Sequence, residues 1–262
     1  MHRFEGKSAV IVGGATGIGA ATARRLGAEG AHVVVGDLDL EKARATAGDI
    51  VDSGGTAVAV GFDLADEPSI AALMREADST YGGIDLLYNS GADLRADTFR
   101  DDADAVRIDV EHWNHILRVN LTGYMLACRY AIPSMLERGG GAIVCTTSDI
   151  AFFVHPRGEQ LSYSTSKLGV VALVRHVAAR WAAQGIRCNC ISPGSVSTES
   201  WRQLQQRPDG ADTVDSAAKR NPRGRVCTPD EVAGAVTFLL SHDAAGVNAQ
   251  VLHVNGGAVL NW

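Results

Sequence analysis

Proline is scarce, with seven residues in 262, and the five cysteines (Cys128, Cys145, Cys188, Cys190 and Cys227) form an odd set without a C-x-x-C pair. A disulfide framework or a zinc site needs paired or clustered cysteines, so neither is expected. Basic charge is also short: 24 Lys and Arg against 30 Asp and Glu give a net charge of −6, with no long Lys/Arg block. Nucleic acid is therefore not an expected partner, because neutralising its backbone takes a basic stripe. Long apolar runs are missing. The uncharged stretch 8–23 is too short and too rich in glycine to span a bilayer, and the opening Met1-His-Arg-Phe-Glu-Gly-Lys7 lacks the charged start and cleavage pattern of a secretory signal. The expectation is a cytoplasmic protein with no membrane partner.

Glycine, in contrast, is abundant: 29 residues, about 11% of the chain, against roughly 7% in an average protein. With 46% hydrophobic and 21% charged residues, this is a folding composition rather than a disordered or collagen-like one. The glycines must then serve backbone geometry, either positive φ or close approach. One domain over 1–262 is the default for this length.

Short β-branched runs at 8–12, 32–36, 57–61, 85–88, 142–146, 186–191 and 251–254 alternate with helical patterns at about 20–29, 40–53, 67–81, 112–137, 163–184 and 229–241. Unbroken apolar strands alternating with helices predict an α/β protein, a Rossmann-like doubly wound parallel sheet of about seven strands with helices on both faces. A barrel of eight βα units is the competing arrangement.

The first strand runs into Gly13-Gly-Ala-Thr16-Gly17-Ile18-Gly19 and then a good helix. Such a turn lets a pyrophosphate approach backbone N–H groups at the positive helix end, although strand-to-helix turns also use glycine for steric reasons alone. The second strand ends at Asp37, placed to accept hydrogen bonds from an adenosine ribose, and Leu38 follows where a 2′-phosphate would need a cation. NAD(H) is thus expected over NADP(H), unless Asp37 only starts a turn. Further on, Tyr163 and Lys167 stand four residues apart at the start of a long helix, on one face. A neighbouring ammonium is expected to lower the phenol pKa and make Tyr163 a usable acid/base.

Together these segments resemble the short-chain dehydrogenase/reductase family over essentially the whole chain. The motifs run in that family's order: Val12 to Gly19, Asp63-Leu64, Tyr88-Asn89-Ser90-Gly91, Val119-Asn120-Leu-Thr-Gly123, Thr147-Ser148, Tyr163 with Lys167, Ser192-Pro193-Gly194-Ser-Val196-Ser-Thr198, and Asn255-Gly-Gly257. The resemblance implies an NAD-dependent oxidoreductase interconverting a secondary alcohol and a ketone, with Tyr163 as acid/base. It implies that Lys167 holds the nicotinamide ribose, Ser148 the substrate oxygen, and Asn120 a water of a proton relay. It also gives Asp63 to the adenine amino group, Leu64 and Asn89 to backbone contacts near adenine and ribose, and Val196 and Thr198 to the carboxamide. Family members often assemble as tetramers through the helices at 112–137 and 163–184, and a homotetramer is expected here, with the apolar ending Leu260-Asn-Trp262 a candidate second contact.

Several positions depart from the family pattern. Val12 replaces a threonine whose hydroxyl ties the turn to the Asn89-Ser90-Gly91 strand end, and Ser90 is the candidate to replace that tie. Tyr88, Ser90 and Asn255 are the other departures, read as structural tuning. Ser148 and Tyr163 are about two residues further apart than in many members, so 149–162 is expected to bulge over the substrate pocket. Phe152, Phe153, His155, Leu161 and Trp201 would rim that pocket and favour a bulky apolar or cyclic alcohol or ketone. The region 199–225 is the expected lid, with Trp201 and Leu204 on its inner face.

Blander readings stand beside these. His112 and His115 are spaced for a metal pair but lack a third ligand nearby. Cys188 and Cys190 alternate along a strand and suit one apolar layer. The charged run 93–109 reads as a solvated face, with Leu94 or Arg95 able to border the pocket. Two other functions remain open: a dinucleotide-binding sensor or scaffold without turnover, and non-redox lyase or epimerase chemistry on the same fold.

Overall fold

The computed structural model describes residues 2–94, 102–153, 160–205 and 216–259. Seven parallel strands, β1 (Ser8–Val12), β2 (His32–Asp37), β3 (Thr56–Gly61), β4 (Leu86–Asn89), β5 (Gly141–Thr146), β6 (Ile186–Pro193) and β7 (Val251–Val254), form one sheet. Their order is β3-β2-β1-β4-β5-β6-β7. The chain winds outward from β1 in one direction and, after crossing to β4, in the other. The crevice beyond the carboxyl ends of β1 and β4 is therefore the switch point at which open α/β sheets take ligands.

Helices α1 (Gly17–Ala28), α2 (Leu40–Asp52), α3 (Glu67–Tyr81), α4 (Val110–Leu117), α5 (Gly123–Glu137), α6 (Leu161–Trp181), α7 (Glu199–Gln205) and α8 (Pro229–Leu240) cover both faces. On one face Ile70 and Leu73 of α3, Tyr124 and Ala127 of α5, and Val170 and Val174 of α6 pack on Val10, Leu87, Ile143 and Cys188. On the other, Leu26 of α1, Ile50 of α2 and Val232 and Val236 of α8 pack on Ile11, Val35, Tyr88 and Ile191. This two-sided burial is why β1 and β4 read as unbroken apolar runs.

The expected helix over 112–137 is divided. A π-helical turn, Arg118–Thr122, lies between α4 and α5 and carries the fully buried Asn120. Such turns insert a residue into an α-helix and redirect its side chains, often at functional sites. All five cysteines are free and buried, and Cys188 and Cys190 share one core layer with Cys128 and Cys145, as the strand alternation predicts. No helix among the described residues is long and apolar enough to cross a membrane. Arg95, His155 and the 260–262 ending lie outside the described residues.

Candidate active site

The turn after β1 is built on close approach. Gly13 has φ +84°, and a side chain there would run into the backbone of Gly91. A side chain at Gly19 would likewise strike the Gly13 carbonyl. Ser90 N–H and Gly91 N–H both donate to the Val12 carbonyl, at 2.8 Å each, so backbone groups tie the turn to the end of β4. Ser90 thus supplies part of the replacement tie, through its backbone N–H rather than its hydroxyl, and its side chain bonds to the Tyr88 phenol. That phenol also accepts from Thr146 Oγ1 at 2.9 Å, and burial pushes its pKa up to about 12.

Helix α1 begins at Gly17, and the residue before it, Thr16, makes no side-chain cap; its first turn holds no acidic residue. Helices α2, α3, α4 and α8 are each capped by a side chain: Asp39, Asp66, Asp109 and Thr228. An uncapped, exposed helix start in a turn of four glycines fits a phosphate group, whose charge would take the place of the cap. Ile18 is partly buried against the core behind the turn, and Thr198 packs on Gly17 from the far side, 3.1 Å from where a side chain there would begin. Asp37 ends β2, its Oδ2 accepting from Ala15 N–H at 2.9 Å and Oδ1 from Asp39 N–H at 3.1 Å. Its carboxylate is thereby fixed beside the turn. Leu38 next to it is exposed. The nearby cations Lys42 and Arg44 are engaged by Asp39 and Glu41.

Asp63 is exposed, its carboxylate accepting from Ala65 N–H at 2.7 Å. Leu64 is buried, filling the space over Gly91 and Gly123. The Asn89 side chain is also fully buried, donating to Cys145 Sγ at 3.4 Å. Beyond β6, Pro193 pairs with Val254, and Gly194 sits where a side chain would collide with Asn255 and the Asp149 carboxylate. Val196 bridges to Cys227, and Thr198 Oγ1 accepts from Trp201 N–H at 3.3 Å.

Four side chains converge near the carboxyl ends of β4 and β5. Ser148 follows β5 and hydrogen-bonds the Tyr163 phenol. Helix α6 is tied to that strand end by Thr147 Oγ1, which donates to the Lys167 carbonyl at 2.6 Å, and by Ser164 Oγ, which donates to the Ile150 carbonyl at 3.0 Å. Lys167 is fully buried. Its Nζ donates to the Thr146 carbonyl at 3.1 Å and lies 5.0 Å from the Tyr124 ring centre and 5.7 Å from that of Tyr163. Asn120 Nδ2 donates to Ser166 Oγ at 3.3 Å, and Asn120 Oδ1 accepts from Asp93 N–H at 3.1 Å.

The expected lowering of the tyrosine pKa is not what the folded chain gives. Burial, reinforced by the charge of Asp149, holds the Tyr163 phenol well above its ordinary value, and the Ser148 hydrogen bond only partly offsets this. Burial also pushes Lys167 down to about 8. The ammonium points at a carbonyl and an aromatic face, so its effect on the phenol is outweighed by desolvation of both groups.

Three carboxylates were not singled out in the sequence. Asp149, half-buried beside Ser148, is pushed up to about 6 by burial. Asp102, in the run read as solvated, is 2% exposed, and Asp93 is buried as well. Only tertiary contacts distinguish them from their exposed neighbours. His115 Nε2 stands 2.9 Å from Asp93 Oδ2, so that histidine faces a carboxylate. Among the described residues no group of three or more His, Cys, Asp or Glu is arranged for a metal. Phe152 packs edge-on against His253 with ring centres 4.9 Å apart; Leu161 and Trp201 are half-buried, and Phe153 and Leu94 are exposed. The side chain of Leu204 lies outside the described residues.

The Asp149 carboxyl has a consequence for stability. A folded-state pKa near 6 against an ordinary 3.8 means that folding favours the protonated form, so stability falls as pH rises through that interval. Asp149→Asn is expected to be more stable than the parent at pH 7.5, by no more than about 3 kcal/mol. The advantage should shrink toward pH 4, as read by chemical denaturation across that range. An advantage that does not change with pH would contradict the burial of this carboxyl.

Comparison with known proteins agrees with this geometry. Residues 13–259 match a family described as enoyl-(acyl carrier protein) reductase. A D-threitol dehydrogenase of Mycolicibacterium smegmatis is 36% identical over 97% of this chain and 94% of its own length. A cis-4-hydroxycyclohexanecarboxylate dehydrogenase of Sinomonas cyclohexanicum is 38% identical over 97% of both chains. Among solved structures, a 7α-hydroxysteroid dehydrogenase complexed with NADH and 7-oxo glycochenodeoxycholic acid superposes with a TM-score of 0.89 at 28% identity, over 99% of this chain and 96% of that one.

Proposed function

Because this chain belongs to the short-chain dehydrogenase/reductase family, we propose that it is an NAD-dependent dehydrogenase of a secondary alcohol, working reversibly with the ketone. The observation that carries the reading is the convergence of Ser148, Tyr163, Lys167 and Asn120 beside an uncapped glycine turn. A pure binding module needs the turn but has no use for a buried phenol and ammonium.

The first turn of α1 would bind the pyrophosphate, and Asp37 would accept from the adenosine ribose hydroxyls. Bound NAD supplies the hydride acceptor, the C4 position of its nicotinamide. Ser148 would orient the substrate oxygen, and Tyr163 Oη would take the hydroxyl proton during oxidation or return it during reduction. A cation is the natural partner for the tyrosinate formed. Lys167 is the buried cation next to Tyr163 and would hold the nicotinamide ribose, the role the family assigns it. Asn120, buried on its π turn, would pass the proton outward through water.

The partly buried Phe152, Leu161 and Trp201 and the exposed Phe153 support a bulky apolar or cyclic substrate. The two relatives, a threitol dehydrogenase and a hydroxycyclohexanecarboxylate dehydrogenase, span polyols and cyclic alcohols. The decisive experiment follows NADH absorbance across a panel of secondary alcohols, polyols and cyclic ketones. Turnover with any of them supports the proposal. Tight NADH binding with no turnover anywhere would favour a sensor, and consumption of substrate without a change in NADH would favour lyase or epimerase chemistry.

We place the protein in the cytoplasm, as one domain with a lid over 199–225, and as a homotetramer. Val110 on α4 and Leu168 on α6 are exposed apolar residues on the helices expected to pair. Light scattering should give four times the mass of 27.6 kDa, and Leu168→Glu should reduce it. A monomer at micromolar concentration would rule this assembly out.

A further inference from the structure

We propose that Asp102 is a positioning residue: its carboxylate caps the Tyr163 helix in place of that helix's own N-cap residue, and so sets where the phenol stands relative to Ser148. The inference rests on the acid/base role proposed for Tyr163.

Helix α6 begins at Leu161 with no cap of its own. The preceding residue, Gln160, sits in the left-handed region at φ +67°, and its side chain makes no capping bond. The first-turn N–H groups of a helix have no partner within it, and a buried one left unpaired is costly. Asp102 supplies the partners from a distant part of the chain. Its Oδ1 accepts from Ser162 N–H and its Oδ2 from Tyr163 N–H, both at 2.9 Å. Its carbonyl accepts from Gln160 N–H, also at 2.9 Å. Ser162 and Tyr163 are the second and third helical positions, those an N-cap side chain ordinarily serves.

The chemistry of the site fits a carboxylate. Asp102 is 2% exposed, and burying a charge is unfavourable unless hydrogen bonds and an opposing field compensate it. Here both oxygens are engaged and the positive end of α6 faces them. The ties from Thr147 and Ser164 act on residues 164–167. The N–H groups of Ser162 and Tyr163 are held by Asp102.

The position matters because Tyr163 lies in the turn that frays first if the cap is lost. Misplacing a reacting group by about 1 Å can cost about a hundredfold in rate.

The test compares Asp102→Asn and Asp102→Ala with the parent and with Tyr163→Phe, well below every melting transition. In Asp102→Asn we expect kcat to fall about tenfold or more while the dissociation constant for NADH, read by fluorescence without substrate, stays within about twofold. Asp102→Ala should lose at least as much. Backbone amide exchange at Ser162 and Tyr163, slow in the parent, should accelerate in both variants. A kcat for Asp102→Asn within about twofold of the parent overturns the proposal, and so does unchanged exchange at the two amides. If Asp102→Ala does not accumulate, Asp102→Asn carries the comparison, since it keeps the shape and one acceptor. If neither accumulates, fast exchange of these two amides in the parent still refutes the cap. Should Tyr163→Phe retain full turnover, the acid/base reading fails, whereas the amide exchange continues to report on the cap alone.

Discussion

Tyr163→Phe is expected to lower kcat/KM by about 100- to 10,000-fold, the usual range for losing a general acid/base. NADH binding and the melting temperature should change little. The substitution removes one oxygen from a half-buried residue whose backbone stays anchored at Asp102 and whose helix stays tied through Thr147 and Ser164. The hydrogen bond between the phenol and Ser148 disappears with it. Kinetics with the best alcohol from the substrate panel check this. A loss below about tenfold would show that the proton leaves by another route. The pH profile adds a second reading. Burial and Asp149 hold the phenol high, so oxidation by the parent should still be rising with pH on the alkaline side of neutrality. Asp149→Asn, which removes the neighbouring charge, should move that rise to lower pH.

The second large effect concerns the cofactor. The parent should bind NADH about a hundredfold more tightly than NADPH, because a 2′-phosphate would bring its charge against the carboxylate of Asp37. That carboxylate cannot easily swing away, since both oxygens are engaged by the backbone of Ala15 and Asp39. Asp37→Asn keeps an acceptor for Ala15 N–H but removes the charge. It should cut the preference to about tenfold or less, mostly by improving NADPH, with NADH binding weakened only moderately. Fluorescence titrations of both dinucleotides with both proteins decide the matter. Equal affinity of the parent for NADH and NADPH would overturn the assignment of Asp37.

Much of the architecture was legible because it rests on local signals. The seven strands announce themselves as short β-branched runs, and α2, α3, α4 and α8 start at side chains that cap them. The glycine turn was legible for a related reason. Positive φ at Gly13 and the collision awaiting a side chain at Gly19 leave no alternative residue, so the geometry is written directly into the composition. The excess of glycine is in part the trace of two strand ends pressed together at Gly13 and Gly91.

What escaped were features set by partners far apart in sequence. Asp102 sits among acidic neighbours that look alike on paper, and its burial comes from the start of α6, some sixty residues away. The π turn at Asn120 interrupts a helix whose periodicity suggests none. The spacing of Tyr163 and Lys167 correctly predicts one helix face, yet the sign of the phenol's shift was misjudged, because spacing carries no information about desolvation.

The sequence by itself therefore determined the order of elements and the glycine cradle, which depend on residue type and local spacing, while Ser148 and Asn120 were singled out only through the resemblance to a family. Tertiary structure alone decided which carboxylates are buried, what caps the Tyr163 helix and how the phenol and ammonium titrate. Those properties depend on which groups lose water and which hydrogen bonds replace it, and the chain settles that only when distant segments close over one another.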